Sequence, residues 1–220
     1  MTKFEVKKRD GLARIAEFTS GEETIRLPGV MDTEALFPDL ANRSFSNVPL
    51  AAPEAFVAAS LSRSKDQPRT IHPALPPEAS SGDCVMAANW NTVLDNPRNY
   101  TDWLVLLKEQ LPADTAWYAP GAALPSNVHI LCYSGFDLFD FIAVDLKTAK
   151  HLFCLPEGEF PAGIMETGVC GCEGCREGDL RTHNRLALAR EIALVTRFIA
   201  DQQLREFVEA RSRLQAAHVA

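Results

Sequence analysis

The 220-residue chain lacks long hydrophobic runs. No stretch of about 18 apolar residues occurs, so the sequence offers no candidate for a membrane-spanning helix. The first residues, Met1–Lys7, have no apolar run after their charges and do not resemble a secretion signal. We therefore predict a cytoplasmic protein without a membrane partner. In that reducing compartment, the six cysteines are not expected to form a disulfide framework.

An excess of positive charge is also missing. The chain has 22 Lys and Arg against 29 Asp and Glu, which gives a net charge of -7 at pH 7. Such a protein repels a polyanion at long range, so nucleic acid is expected to bind only at a local patch or together with a partner. Repeats and low-complexity segments are absent as well. The apolar content of 46% instead indicates one packed globular domain and excludes intrinsic disorder.

Short extended segments alternate with segments of helical period. The first pair, Leu12–Phe18 and Thr24–Leu27, is predicted to form a β-hairpin. Further apolar runs of three or four residues follow at Gly29–Met31, Val48–Leu50, Thr70–His72, Cys84–Ala87 and Ala116–Ala119. Because helical stretches separate these runs, the pattern predicts βα units and a mostly parallel sheet.

Caps and apolar spacing predict the helices. The clearest one starts at Pro97, with Asn96 as its cap, and ends before Pro112. Its expected buried residues are Trp103, Leu104, Leu106, Leu107 and Leu111. Two more are expected from Pro53 through Leu61 and over Ser126–Tyr133. The stretch from Asn184 to about Gln215 is amphipathic and reads as one long helix or a helical pair, packed on the domain or contributing to a subunit interface.

The sequence Cys-Gly-Cys-Glu-Gly-Cys, followed by a histidine, is the strongest local signal. Its four candidate ligands are Cys170, Cys172, Cys175 and His183. Three thiolates and one imidazole form a closed tetrahedral set for a structural zinc ion, and the glycines allow the tight backbone that brings the sulfurs together. The alternative is three free thiols or a redox pair, with His183 as a polar residue at a helix start.

Two carboxylates interrupt the apolar run Phe136–Phe141. Burial of an unpaired carboxylate is costly, so at least one of Asp137 and Asp140 is expected to lie at a strand end with a partner or a chemical task. β/α barrels place their chemistry at the carboxyl ends of their strands. The alternative is that both residues only cap a loop.

Several motifs together resemble tRNA-guanine transglycosylases, zinc-containing β/α barrels that exchange a base in tRNA. Arg9–Ile15 is similar to the opening of that family, and Phe136–Asp140 is similar to the stretch that leads into its nucleophilic aspartate. The resemblance therefore implies that Asp140 is the nucleophile. It also implies that the three cysteines and His183 are the zinc ligands, with Asn184 matching the asparagine that follows the histidine.

A closer resemblance is to the transglycosylase-like N-terminal domain of the archaeosine synthases, an archaeal family. The matching segments are Asn47–Pro53, Ile71–Glu78 and Tyr118–Gly121. That family acts on tRNA which already carries a deazaguanine nitrile in the D-loop, and adds nitrogen to form the amidine of archaeosine. The resemblance implies the same pathway for this chain.

Two departures from the active transglycosylases bear on catalysis. A Ser-Asp-Ser-Gly-Gly segment with the second carboxylate is missing, and Asp32 is the remaining candidate near that place. A Pro-Thr-Arg run after Asp140 is also missing. Base exchange needs both a nucleophile and a second carboxylate for proton transfer. The chain is therefore predicted to be non-catalytic by itself, and the alternative is an active tRNA-guanine ribosyltransferase that uses Asp140.

The resemblance further implies partners. In archaeosine synthases, nitrogen transfer and a PUA-type tRNA-binding module belong to C-terminal domains, so we expect a partner subunit to supply both, with a homodimer as an additional expectation. Lys147, Lys150 and His151 follow Asp140 and are candidate contacts to tRNA phosphates. A third alternative is a zinc-stabilised protein-interaction module without an RNA ligand.

The expected fold is α/β: a reduced or incomplete transglycosylase-type β/α barrel, similar to a TIM barrel, with an N-terminal β-hairpin. We expect residues 1–165 to form the transglycosylase-like domain. Residues 166–220 are expected to form the zinc-binding loop and the C-terminal helices, packed on that domain as one structural unit.

Overall fold

The structure is a computed structural model that describes residues 2–31, 68–71, 77–87, 97–167 and 170–218. Its strands are β1 (Thr2–Asp10), β2 (Ala13–Ser20), β3 (Glu23–Leu27), β4 (Gly29–Val30), β5 (Arg69–Ile71), β6 (Cys84–Ala87), β7 (Ala116–Tyr118), β8 (Leu138–Phe139), β9 (Leu152–Leu155) and β10 (Gly158–Pro161). Its α-helices are α1 (Pro97–Gln110), α2 (Val128–Tyr133), α3 (Ile142–Ala149), α4 (Glu173–Glu177), α5 (Leu180–Ala200) and α6 (Leu204–His218), and Ala162–Thr167 is a 3-10 helix. Several predictions lie outside the described residues: the strand Val48–Leu50, the helix from Pro53, the cap residue Asn96 and the candidate carboxylate Asp32.

An antiparallel meander of β1, β2 and β3 forms the N-terminal part. The predicted hairpin of β2 and β3 is confirmed, with Phe18 opposite Ile25. Strand β1 was not predicted. It pairs with β2 through Phe4 opposite Phe18, while most of its other side chains are exposed and many are charged. A strand with so few core-facing residues gives little hydrophobic alternation to detect.

The central sheet has five parallel strands in the order β4-β8-β7-β6-β5. The predicted mixed α/β architecture with a parallel sheet is confirmed. Among the described residues this sheet is open, so these residues do not form a closed barrel. Strand β4, the first of the five along the chain, lies beside β8, the last, while β5 to β8 follow each other in chain order.

Both faces of the parallel sheet are buried. Successive residues of a strand point to opposite faces. Val85 and Trp117 therefore face the core formed with α1, α2 and α5, whereas Met86 and Tyr118 face the core formed with the meander, which includes Phe18. The sheet thus lies between a helical layer and the N-terminal meander.

Helix α1 has the predicted bounds but not the whole predicted buried face. Leu104, Leu107 and Leu111 are buried, whereas 53% of Leu106 is exposed, so its predicted burial is wrong. Leu106 is two residues from Leu104, which is about 200° around a helix, on the opposite side. In the helices that the structure describes, no segment is both long and apolar enough to cross a lipid bilayer.

The C-terminal region is a helical pair. Helices α5 and α6 are separated at Asp201–Gln203, where Gln202 adopts a left-handed conformation with φ of 57°. The predicted apolar face of α5 is confirmed, since Leu188, Ile192, Val195 and Ile199 are buried. The side chain of Asp10, at the end of β1, accepts a hydrogen bond from the backbone N–H of Leu204 at 2.9 Å and so caps α6.

Candidate functional site: a metal centre and a buried aspartate

The four predicted metal ligands converge. One donor atom from each of Cys170, Cys172, Cys175 and His183 lies within 4.8 Å of the donor atoms of the other three. Nδ1 of His183 is 3.2 Å from Sγ of Cys172 and 3.3 Å from Sγ of Cys175. The Cys3His cluster, as we call these four residues, is therefore assembled at the junction of the loop before α4 and the start of α5.

Local structure explains why these residues meet. The Cys172 sulfur accepts the backbone N–H of Cys175 at 3.4 Å and so caps the short helix α4. The Asp179 carboxylate caps α5 by accepting the N–H groups of Arg181 and Thr182. Gly174 lies between these two caps, and a Cβ atom there would overlap the backbone of His183. Only glycine therefore allows α4 to approach the first turn of α5 this closely.

The cluster fits a zinc ion. Three cysteine sulfurs and one histidine nitrogen are a typical donor set of structural zinc sites. Tetrahedral zinc with ordinary Zn–S and Zn–N bonds separates a sulfur from a nitrogen ligand by about 3.6 Å. The two sulfur–nitrogen distances of 3.2 and 3.3 Å in the cluster are close to that value. Burial lowers the pKa of His183, which favours the neutral imidazole that binds metals.

Contacts around His183 orient its ring. Its Nε2 lies 3.0 Å from the carbonyl oxygen of Cys154, and its ring stacks on Phe153 with centroids 3.8 Å apart and an interplanar angle of 9°. Asn184, the next residue, bonds to the backbone on both sides of Phe153 and to Thr148. Sequence reasoning missed the role of Cys154, because its carbonyl acts from 29 residues upstream and a backbone atom leaves no residue signature.

Asp140 lies directly after β8 and is 2% exposed. One carboxylate oxygen accepts the Tyr118 hydroxyl at 2.5 Å and the N–H of Gly121 at 2.9 Å, and the other accepts the N–H of Ile142 at 2.9 Å. Burial raises the pKa of Asp140, while these three hydrogen bonds act in the opposite direction. The carboxylate thus caps the start of α3 at the carboxyl end of a parallel strand.

Asp137, the other carboxylate of the run, is fully buried and has a structural partner. It forms an ion pair with Arg14 of β2, and Nε of Arg14 donates to it at 3.1 Å. The backbone N–H of Trp117 donates to the same carboxylate at 2.9 Å. Asp137 therefore joins the meander to the central sheet. Its partner could not be identified from the sequence, since Arg14 is more than 120 positions away.

The three predicted RNA contacts do not lie together with Asp140. Lys147 forms an ion pair with Glu159 of β10 at 2.9 Å. Lys150 and His151 are exposed at the C-terminal end of α3. Asp140 is at the other end of this eight-residue helix, and eight residues of α-helix span about 12 Å. Helix α3, which was not predicted, therefore separates Lys150 and His151 from Asp140.

A cavity of about 700 Å³ lies elsewhere, between β2, β3, β4 and α5. Its walls include Ile15, Leu27 and Ile192, with Lys7 and Arg26 among its charged residues. None of the predicted site residues lines it, although Phe141, the neighbour of Asp140, does.

These observations define the class of protein. It has a mixed α/β fold, a Cys3His cluster and an aspartate at a strand end that caps a helix. The chain is similar to archaeosine synthase of Haloferax volcanii, with 28% identity over an alignment that covers 96% of this chain and 40% of that protein. It is also similar to archaeosine synthase subunit alpha of Methanosarcina acetivorans, with 31% identity over 63% of this chain and 24% of that protein. These identities indicate a relation to archaeosine synthases, although the chain spans less than half of either relative. No protein-family model matches it.

Proposed function

We propose that this chain acts in archaeosine formation on tRNA, as a transglycosylase-like subunit or domain of an archaeosine synthase. One observation carries the proposal: the similarity to the Haloferax volcanii archaeosine synthase extends over 96% of this chain. The convergence of the Cys3His cluster supports it, because a zinc site formed by these four residues is what the resemblance to transglycosylases implies.

The central sheet supports a reduced or incomplete β/α barrel. In a barrel, the first strand along the chain pairs with the last, and the other strands follow in order. Gly29 of β4 pairs with Leu138 of β8, and β5 to β8 are neighbours in chain order, as a barrel opened between β4 and β5 would have them. A doubly wound sheet instead reverses its strand order at an internal switch point.

A zinc ion held by the Cys3His cluster would have a structural role in this protein. It would join the loop at Cys170 and Cys172, the helix α4 and the start of α5. Helix α5 in turn packs against α3, β9 and the meander. On this basis we propose that residues 166–220 form a metal-stabilised segment on the transglycosylase-like domain of residues 1–165, in one structural unit.

The proposed role is to position the modified D-loop nucleotide or a partner, without turnover by this chain alone. Both carboxylate oxygens of Asp140 accept hydrogen bonds, and the side chain is buried, which favours capping of α3 over nucleophilic attack. The net charge of -7 favours a partner subunit, with the catalytic and PUA-type domains, as the main source of tRNA affinity. Lys147, Lys150 and His151 remain proposed contacts to tRNA.

The test is a reconstitution with tRNA that carries the deazaguanine nitrile in its D-loop. The full chain, the candidate partner captured with it from the native host, and both together are incubated with a nitrogen donor, and the nucleosides are analysed by mass spectrometry. We expect archaeosine only when the partner is present, and a higher yield with both. If adding this chain leaves the yield unchanged and the chain does not bind tRNA at low salt, alone or with the partner, the protein-interaction module without RNA is the better description.

The position of Asp140 at a strand end favours one other function, an active ribosyltransferase. Incorporation of labelled guanine into tRNA by the chain alone would support it, provided that Asp140→Asn abolishes incorporation while the variant stays folded. Under our proposal the wild-type chain incorporates no guanine. A metal-free preparation of the chain, which is expected to be destabilised, serves as the control for loss of incorporation that is caused by unfolding alone.

A further inference from the structure

Asn184 connects three elements through one buried amide. Its Oδ1 accepts the backbone N–H of Cys154 at 2.8 Å, and its Nδ2 donates to the carbonyl of Leu152 at 2.9 Å and to the hydroxyl of Thr148 at 2.8 Å. The residue is completely buried, and each of its hydrogen-bonding groups is used. Since Oδ1 faces a donor and Nδ2 faces two acceptors, the partners determine the orientation of the amide.

The strand residue held by this amide also orients the imidazole ligand. The carbonyl of Cys154 lies 3.0 Å from Nε2 of His183. A neutral imidazole has one N–H group, so donation from Nε2 to this carbonyl leaves a lone pair on Nδ1. Nδ1 is the atom that faces the sulfurs of Cys172 and Cys175. The position of the Cys154 backbone therefore selects the ring nitrogen that is available to a metal.

We propose that Asn184 is a positioning residue for the metal centre: by fixing the backbone of Cys154, it holds His183 in the tautomer that binds through Nδ1. The same amide links the centre to α3, because the hydroxyl of Thr148 accepts from Asn184 and donates to the carbonyl of Val144 at 2.8 Å. This inference rests on the proposed metal role of the Cys3His cluster.

The first test is cobalt(II) titration of the full chain, because cobalt replaces zinc and its absorption reports tetrahedral sulfur–nitrogen ligation. We expect Asn184→Ala to weaken cobalt binding by about 10- to 100-fold. The matched control is Asn127→Ala. Asn127 also bridges backbone groups, at Leu124 and Ala122, but in the turn before α2. It is expected to leave cobalt affinity unchanged even if it lowers stability.

The second test reads the tautomer directly. Long-range proton–nitrogen NMR of the zinc-loaded chain should show a protonated Nε2 in His183, and the spectrum of Asn184→Ala should show a shifted or mixed ring state. A purely structural role for Asn184 would change the melting temperature but neither this spectrum nor the cobalt affinity measured where both proteins are folded.

A milder pair of variants keeps the inference testable if Asn184→Ala does not fold. The hydroxyls of Thr148 and Thr196 both donate to the carbonyl four residues earlier at 2.8 Å, but only that of Thr148 also accepts from Asn184. We expect Thr148→Val to weaken cobalt binding roughly 3-fold and Thr196→Val to have no effect. If Asn184→Ala folds, wild-type cobalt affinity in that variant overturns the inference. If it does not fold, equal cobalt affinity in Thr148→Val and Thr196→Val overturns it. A wild-type chain that binds no cobalt overturns the metal assignment as well.

Discussion

The buried ion pair between Arg14 and Asp137 gives the sharpest prediction about stability. Arg14 is 5% exposed and Asp137 is 0% exposed. The guanidinium also donates to the carbonyl oxygens of Ala113 and Thr115 at 2.8 Å each, and the Trp117 N–H donates to Asp137. The pair therefore joins β2 to the residues that precede β7 and β8.

Removal of one partner leaves a buried charge without compensation. For Arg14→Met, we expect a loss of about 3–5 kcal/mol in the free energy of unfolding. Domains of this size are typically stable by about 5–15 kcal/mol, so the loss should be large. The double variant Arg14→Met/Asp137→Leu removes both charges and should recover at least about 2 kcal/mol relative to the sum of the single variants.

Urea denaturation followed by tryptophan fluorescence and circular dichroism measures these values. The matched control is Arg197→Met, which removes an arginine from an exposed pair with Asp201 and should cause no measurable loss. If Arg14→Met were within about 1 kcal/mol of the wild type, the assignment of Asp137 to a structural role would be refuted.

Three further predictions concern the metal, one lysine and one helix cap. Cys172→Ser should reduce bound zinc from about one ion per chain to little or none and lower the melting temperature. Burial lowers the pKa of Lys108 from 10.5 to about 7, so the unfolded chain binds more protons and stability should rise between pH 7 and 10.5. Lys108→Met should remove that rise in stability. The rise has an upper limit of about 5 kcal/mol, and we expect less because the Lys108 side chain is partly exposed. Asp10→Ala removes the cap of α6 and should cost about 1 kcal/mol, measured by urea denaturation.

Each of these three predictions has its own control and its own contradicting result. Cys84→Ser also places a hydroxyl in the core but should keep the metal, and full zinc content in Cys172→Ser would contradict the ligand assignment. Wild type and Lys108→Met with parallel pH profiles would show that the amine is not perturbed. For Asp10→Ala, unchanged hydrogen exchange in the first turn of α6 would mean that another group caps that helix.

The regular elements could be predicted because their signals are local. Cys84–Ala87 reads as a buried strand and is β6, and Pro97 marks the start of α1. The Cys3His cluster was predictable for the same reason, since its three cysteines fall within six residues. Local spacing was thus sufficient to predict that these four residues form one cluster, though not which groups contact His183.

Helix α3 could not be predicted from local signals. Its first residues include the β-branched Ile142 and Val144, which favour strands, and the N-cap position is Phe141, which cannot cap. The cap comes instead from Asp140, one residue earlier, whose carboxylate is held by Tyr118 and Gly121. Because α3 was not predicted, the sequence did not show that this helix separates Lys150 and His151 from Asp140.

The pairing of β4 with β8 also has a consequence for how the chain folds. Gly29 and Leu138 are about 110 positions apart, so this contact contributes strongly to contact order and closes late. The meander needs only residues 2–27, so it can form before β8 is synthesised. At usual elongation rates, roughly 5 to 20 s pass between the synthesis of β4 and that of β8. During that interval Gly29 and Val30 lack the β8 partner that they have in the folded sheet, and water hydrates the backbone groups that β8 later pairs with.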